Sequence, residues 1–351
     1  MNKTRRSLYL CVHVVQVLPA CCVNRDDTGT PKSVNYGGTR RARVSSQCWK
    51  RQCRMYMQDH FGDNGTRHKH IVSLLSKSLV EEADCDEKKA KSYVKNVLSE
   101  AGIISKKEDA KDTSAFFSQT QIENIRGILL EGYRSNAAEK SLVGQVKDAI
   151  VEHPSESQLL FGRMFASDQS LNYDAACRVA HAFSVNEVAD ESDYFTVVSD
   201  EKSENASAGS DYIDSRLFNT GILYRYADVN LSEGSELLDP SYGIDAAGAA
   251  THFLEAFVKS MPSGSKTSYA NETVPEMVLV ELRDDIPVNF APAFVKAVRG
   301  EDITAEAVEK LFAYENKVTA NYGAPVRRWV LGETSLPKIC KQVAEEIKGR
   351  I

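Results

Sequence analysis

The chain begins with an apolar run. Residues 7–18 are dense in β-branched side chains, with Val12, Val14, Val15 and Val17 among them, and suit a buried strand. From residue 45 the period changes. Trp49, Cys53, Tyr56 and Met57 recur at helical spacing and predict a helix over 45–59 with one apolar face. Residues 60–157 read as polar and largely helical. Within them 86–98 and 138–151 are amphipathic. Ser118-x-x-Gln121 and Thr120-x-x-Glu123 both fit a capping box leading into Ile122, Ile125, Ile128 and Leu129. Strand character returns at 159–165 and 177–186. Residues 190–214 carry eight acids against Lys202, a net of −7, with little apolar content. They predict a projecting loop or long hairpin. A strand rich in aromatics follows at 217–230, then a helix at 244–260, a strand at 276–283 and a helix at 289–299. Helical periodicity at 303–320, a short strand at 325–331 and a terminal helix at 335–349 close the pattern.

With the insertions set aside, the order is strand, helix, strand, strand, helix, strand, at 7–18, 45–59, 177–186, 220–230, 244–260 and 276–283. This is the ferredoxin-like order. RNA-recognition domains (RRM) share it, but their aromatic motif for stacking bases on the sheet is absent here. The fold class expected is α+β: an RRM-like sheet domain with an inserted helical subdomain and a projecting hairpin.

Charge sharpens the picture. The 351 residues carry a formal net charge of −6, yet residues 24–54 hold eight Lys/Arg against Asp26 and Asp27, a local +6. The cations are Arg25, Lys32, Arg40, Arg41, Arg43, Lys50, Arg51 and Arg54. Overall acidity excludes a nonspecific DNA coater and is compatible with one focused groove. Gly37-Gly38 permits backbone conformations that bring N–H groups close to a ligand. Ser45 or Ser46 is a natural N-cap, and a helix N-terminus receives phosphate readily. Gln47 and the serines add hydrogen bonds that hold a nucleic-acid backbone without reading bases. A solvated basic loop is the plain alternative. The glycines, Ser-Ser-Gln and periodic cations occur together, and this favours nucleic acid.

The other features change less. A length of 351 residues suggests two or three domains, and hydrophobic and charged contents of 42% and 26% are those of a soluble globular protein. Lys3, Arg5 and Arg6 before the apolar run, with Leu18–Cys21 after it, resemble a signal peptide or lipoprotein site. His13 and Gln16 interrupt the run, which is also too short to span a membrane as a helix, so no membrane association is expected. The eight cysteines have no zinc spacing and read as buried thiols of a reducing cytoplasm; His68 and His70 are not assigned to a metal. No cofactor, nucleophile–base arrangement or nucleotide-hydrolase phosphate loop is read.

Five blocks carry a family resemblance: Cys22-Val23-Asn24-Arg25-Asp26-Asp27; Tyr36-Gly37-Gly38-x-Arg40-Arg41-x-Arg43-Val44-Ser45-Ser46-Gln47-x-x-Lys50-Arg51; Gly162-Arg163-Met164; Gly221 to Asp228; and Pro275-x-Met277-Val278-Leu279-Val280. In this order, over about residues 7–300, the chain resembles the CasC family, the backbone subunit of Cascade, the type I-E CRISPR surveillance complex. The resemblance implies a hand-shaped protein. Its palm would comprise 1–59, 158–186 and 217–351, its fingers 60–157 and its thumb 187–216. Copies would polymerise along one CRISPR RNA beside other Cascade subunits and present the guide to a target DNA strand. It implies RNA contacts by Arg25, Lys32, Arg40, Arg43, Ser45, Gln47, Lys50 and Arg54, with Gly37, Gly38, Arg41, Ser46 and Arg51 in the same block. Met164 would lie against a displaced nucleotide and Phe218 at the thumb base. Core packing is the alternative for Met164, for Phe218, and for Tyr224 and Tyr226. Arg163 would meet either phosphate or a neighbouring carboxylate. Thr39 stands where members often carry a cation.

The expected function is therefore a non-catalytic RNA scaffold. A competing reading is a metal-dependent ribonuclease of the type III backbone kind using Asp26 and Asp27, since paired acids can hold Mg²⁺. Their cationic surroundings favour salt-bridging that orders the loop. A third reading, a secreted lipoprotein, would require processing at Cys21.

Overall fold

The computed structural model describes residues 6–105, 114–165, 167–197 and 212–351. Strand β1 (Tyr9–Cys21) leads into a short hairpin, β2 (Ser33–Tyr36) and β3 (Thr39–Val44), and then helix α1 (Ser46–Phe61). A helical block follows: β4 (Thr66–His68), α2 (Ile71–Ala83), α3 (Glu87–Glu100), β5 (Ala115–Phe117), α4 (Gln119–Arg134), α5 (Glu139–Val151) and α6 (Glu156–Phe161). The chain returns through β6 (Cys177–Val179), β7 (Ala182–Ser184), β8 (Glu191–Val197) and the long β9 (Tyr212–Asn230). It ends with α7 (Ala246–Lys259), α8 (Lys266–Tyr269), β10 (Met277–Arg283), α9 (Ile303–Tyr322), β11 (Arg327–Val330) and α10 (Leu336–Lys348).

The main sheet runs β11-β10-β1-β9-β7-β3-β2, with β6 and β8 also paired to β9, and its pairings are antiparallel. β1 lies at its centre, matched to β10 from Tyr9↔Arg283 to Val15↔Met277 and to β9 from Tyr9↔Asn230 onward. Its side chains are buried on both sides, which is why the sequence shows a continuous apolar run rather than alternation. Leu10, Val12 and Val14 pack with Cys53 and Met57 of α1, Phe253 and Phe257 of α7, and Ile339 and Val343 of α10. Cys11 and Val15 face the opposite way, toward Phe290, Phe294 and Leu311 of α9. The helical block has its own core of Leu75, Val94, Val97, Ile125 and Val146.

Local chemistry explains most boundaries. Ser45 caps α1 by accepting from the Cys48 amide, and Gly62 ends it with a left-handed φ of 70°. Ser118 and Gln121 form a reciprocal capping box at α4, so of the two overlapping candidates this one starts the helix.

Two expected elements are corrected. Residues 159–165 are not a strand. Ser155 and Gln158 form a second capping box, so Leu159, Leu160 and Phe161 turn inward from α6. Residues 289–299 are not a helix beyond a 3₁₀ turn at Ala291–Phe294. Phe290, Phe294 and Val298 are buried at a spacing of four, which imitates helical periodicity, while the Phe294 carbonyl accepts from Arg41 Nη2 at 3.2 Å. The expected projection over 187–216 is described at its base, where β8 pairs with β9 from Glu191↔Phe218 to Val197↔Tyr212; residues 198–211 lie outside the described residues.

Candidate nucleic-acid interface

The site grows out of the β2–β3 hairpin and α1. The two strands flanking Gly37-Gly38 are not apparent in the sequence, which suggests only a loop there. Gly37 and Gly38 have φ of 60° and 81° and form the two-residue turn between β2 and β3. Positive φ at both positions matches the twist of such a hairpin.

The structure sorts the eight cations by their partners. Arg41 is fully buried. Its Nη1 donates to the carbonyls of Ser184 (2.9 Å) and Val185 (2.5 Å), its Nη2 to Phe294, and its Nε to Thr39 Oγ1 at 2.7 Å. Arg41 therefore ties the hairpin to the sheet and is withdrawn from the expected contact set. Arg40 is exposed and paired with Asp190 at 2.5 Å. Arg43 donates to the Ser33 carbonyl at 3.3 Å and lies 3.1 Å from His181 Nδ1. Burial first, then Arg43 and Lys32, holds the His181 imidazole below its usual pKa. His181 was not singled out from the sequence; its place just before β7, the strand paired with β3, puts it there.

The remaining cations form no ion pair among the described residues: Arg25, Lys32, Lys50, Arg51 and Arg54. Trp49, Cys53 and Met57 are the buried face of α1, and Gln47, Lys50, Arg51 and Arg54 recur three or four residues apart around its other side. Gln47 and Arg51 are exposed, and Lys50 and Arg54 half-buried. Ser46 is half-buried beside Gln47. Lys32 and Arg51 both act on the Cys48 thiol, lowering a pKa that burial raises, so the row on α1 continues into the segment before β2. Arg54 is pushed down to about 10, by burial first and then by Arg67 and Arg51. Asp63 acts the other way on Arg54, behind burial and the two arginines, so the cations still outweigh the acid and make a positive surface on an acidic protein.

The salt-bridging expected of the acids next to Arg25 is not seen among the described residues; Asp26 orders the loop through hydrogen bonds instead. Asp26 Oδ1 accepts from the Thr28 amide (3.0 Å), the Thr28 hydroxyl (2.7 Å) and the Thr30 amide (3.0 Å). The Thr28 hydroxyl is the first of the bonds that lower its pKa. Among the described residues, no cluster of three His, Cys, Asp or Glu side chains could hold a metal ion.

Arg163 pairs with no carboxylate among the described residues. It is buried and donates to the Leu171 carbonyl from Nε (3.1 Å) and Nη2 (2.7 Å), and to the Ile150 carbonyl from Nη1 (3.0 Å). The next residue does the opposite: Met164 is 81% exposed, so core packing does not hold it. Phe218 is half-buried, 6.0 Å from the Tyr269 ring, while Tyr224 and Tyr226 are buried in the core. The cysteines are buried or half-buried free thiols, and burial pushes Cys53 up to about 11.

What fold and site define is an α+β protein with an antiparallel sheet, both of whose faces are covered, and a row of unneutralised cations on the first helix. The chain belongs to the CT1975-like protein family, whose model matches residues 10–348. Among solved structures, a chain of a "CRISPR RNA-guided surveillance complex, pre-nicking" is 30% identical, with a TM-score of 0.82 over 97% of this chain and 100% of that one. A chain of another "CRISPR RNA-guided surveillance complex" is 25% identical, with a TM-score of 0.72 over 96% and 99%. No curated protein sequence matches significantly.

Proposed function

We propose that this protein is a component of a CRISPR RNA-guided surveillance complex, and within it the non-catalytic backbone subunit of a type I-E Cascade. The observation that carries this reading is the row of cations without ion-pair partners from Lys32 along Lys50, Arg51 and Arg54, in a chain similar over nearly its whole length to chains of such complexes. In this reading the main sheet is a ferredoxin-like palm, the helical block the fingers, and the β8–β9 hairpin the thumb. The closed sheet faces support it. With α7 and α10 on one side and α9 on the other, bases have no open sheet to stack on. The guide is then gripped by its backbone from the side, at α1 and the hairpin. Guanidinium and ammonium groups hold phosphate without reading sequence, and base pairing with the guide supplies specificity, as in other RNA-guided systems.

Copies polymerise along the CRISPR RNA in the cytoplasm, Met164 rests against a nucleotide displaced at each step, and the target DNA strand pairs in the segments between. The protein positions the RNA and does not cut it. The test is the native mass of the protein co-expressed with its neighbouring genes, before and after RNase. A multi-copy assembly holding one RNA of uniform length is expected. A nucleic-acid-free monomer overturns the reading.

A further inference from the structure

Where α1 ends, the chain makes a joint with the helical block, and that joint holds two cations against one ring. Arg67, on β4, pairs across the small ribbon with Phe116 on β5, so both side chains share a face. The Arg67 guanidinium lies 4.8 Å from the Phe116 ring centroid. The Arg54 guanidinium, from the middle of α1, lies over the same ring at 5.4 Å. The joint is fixed by polar contacts. Gln58 Nε2 donates to the Gly65 carbonyl at 2.5 Å, and Asp63 accepts from the Ser157 amide (3.0 Å) and hydroxyl (2.5 Å). Gln158 Nε2 holds the Phe116 carbonyl at 3.0 Å. Asp63, the acid that acts on Arg54, is thus already held by Ser157. Arg54 Nε is shielded from solvent and has no hydrogen-bond partner, a costly condition for a donor. Two like charges on one aromatic platform, one with an unmet donor and neither with an ion-pair partner among the described residues, form an incomplete site.

We infer that Arg54 and Arg67, stacked on Phe116, form a clamp for one phosphodiester group of a single nucleic-acid strand, continuing the α1 cation row onto the helical block. A phosphate held by the outer guanidinium nitrogens would relieve the repulsion, and planar guanidinium forks suit it in a way an ammonium does not. The phosphate comes from the guide RNA or from the DNA strand paired with it. The inference rests on the function proposed above.

The test uses Arg67→Ala and Arg67→Lys in the chain co-expressed with its guide RNA, with Lys50→Glu as reference. Retention of the RNA is followed against salt, and a fluorescein-labelled complementary DNA is then titrated onto the purified complexes. For Arg67→Ala, a salt dependence of RNA retention lower by about one contact per copy assigns the clamp to the guide. Unchanged RNA retention with the same loss for the DNA assigns it to the target strand. In either case Arg67→Lys falls between wild type and Arg67→Ala. If both salt dependences are unchanged in Arg67→Ala while Lys50→Glu releases the RNA, the clamp is overturned and the scaffold reading stands. If Lys50→Glu also retains its RNA unchanged, both fail. Because Arg67 is exposed, thermal melts should coincide; Arg67→Gln serves as a second variant should Arg67→Ala misfold.

Discussion

Gly37 lies against the Val295 carbonyl so closely that a Cβ built on it would stand 1.5 Å from that oxygen. The hairpin turn is thus seated on the segment after the 3₁₀ turn, and protein packing there requires its glycine. Gly37→Ala adds a backbone clash to a left-handed φ. It should lose more than about 2 kcal/mol, read from the urea midpoint. Gly38 shares the positive φ but has nothing within 4 Å, so Gly38→Ala should lose only about 1 kcal/mol.

Arg41 and Lys50 should separate folding from binding. Arg41→Met leaves the Ser184 and Val185 carbonyls without their buried donor and should cost about 3 kcal/mol of stability. Lys50→Glu, on the half-exposed side of α1, should stay within about 0.5 kcal/mol. The same substitution should nonetheless abolish copurification of RNA, measured by absorbance ratio and by extraction of bound nucleic acid.

Met164 is a large apolar side chain in water. Met164→Ala should leave the unfolding midpoint within about 0.5 kcal/mol of wild type. A guide carrying 2-aminopurine at the displaced position should lose its altered fluorescence in this variant. An unchanged signal would remove Met164 from the proposed wedge.

A stability difference should track pH at the seam between α6 and α7. His252 Nδ1 sits 2.8 Å from Glu156, and that hydrogen bond is the first cause raising its pKa above the usual imidazole value. A raised folded pKa stabilises below the unfolded value of about 6.5, and the gain is lost as pH rises through the folded value. Wild type minus His252→Gln, compared by urea midpoints at pH 5.5 and pH 8.5, should be larger at the lower pH. Equal differences would show that the pair contributes nothing through protonation.

Legibility followed the locality of the cause. Ser45, Ser118 with Gln121, and the Trp49–Cys53–Met57 stripe act within a turn or two of helix, so α1 and α4 could be read directly. The cations were visible too, because charge in a short segment needs no tertiary knowledge. Their sorting was not. Arg40, Arg41 and Arg43 differ only in which distant residues they meet: Asp190, the Ser184 and Val185 carbonyls, and His181. Arg41 sits two residues from both Thr39 and Arg43, and nothing local distinguishes it. The same holds for 159–165, where a run that could be strand or buried helix was decided by a capping box lying just ahead of it. Arg67 escaped notice because its significance lies in Phe116, forty-nine positions later.

Strand β9 is 19 residues long and continuous from the β8 hairpin to the pairing with β1 at the sheet centre. At about 3.3 Å per residue it spans roughly 60 Å as one beam. A beam clamped along half its length behaves as a cantilever. A load on its free end is carried back into the β1 ladder past the register shift opposite Asn219 and Gly221. In the proposed filament, a neighbour leaning on the hairpin would strain the next subunit's sheet, and stiffness would pass along the array by mechanics alone.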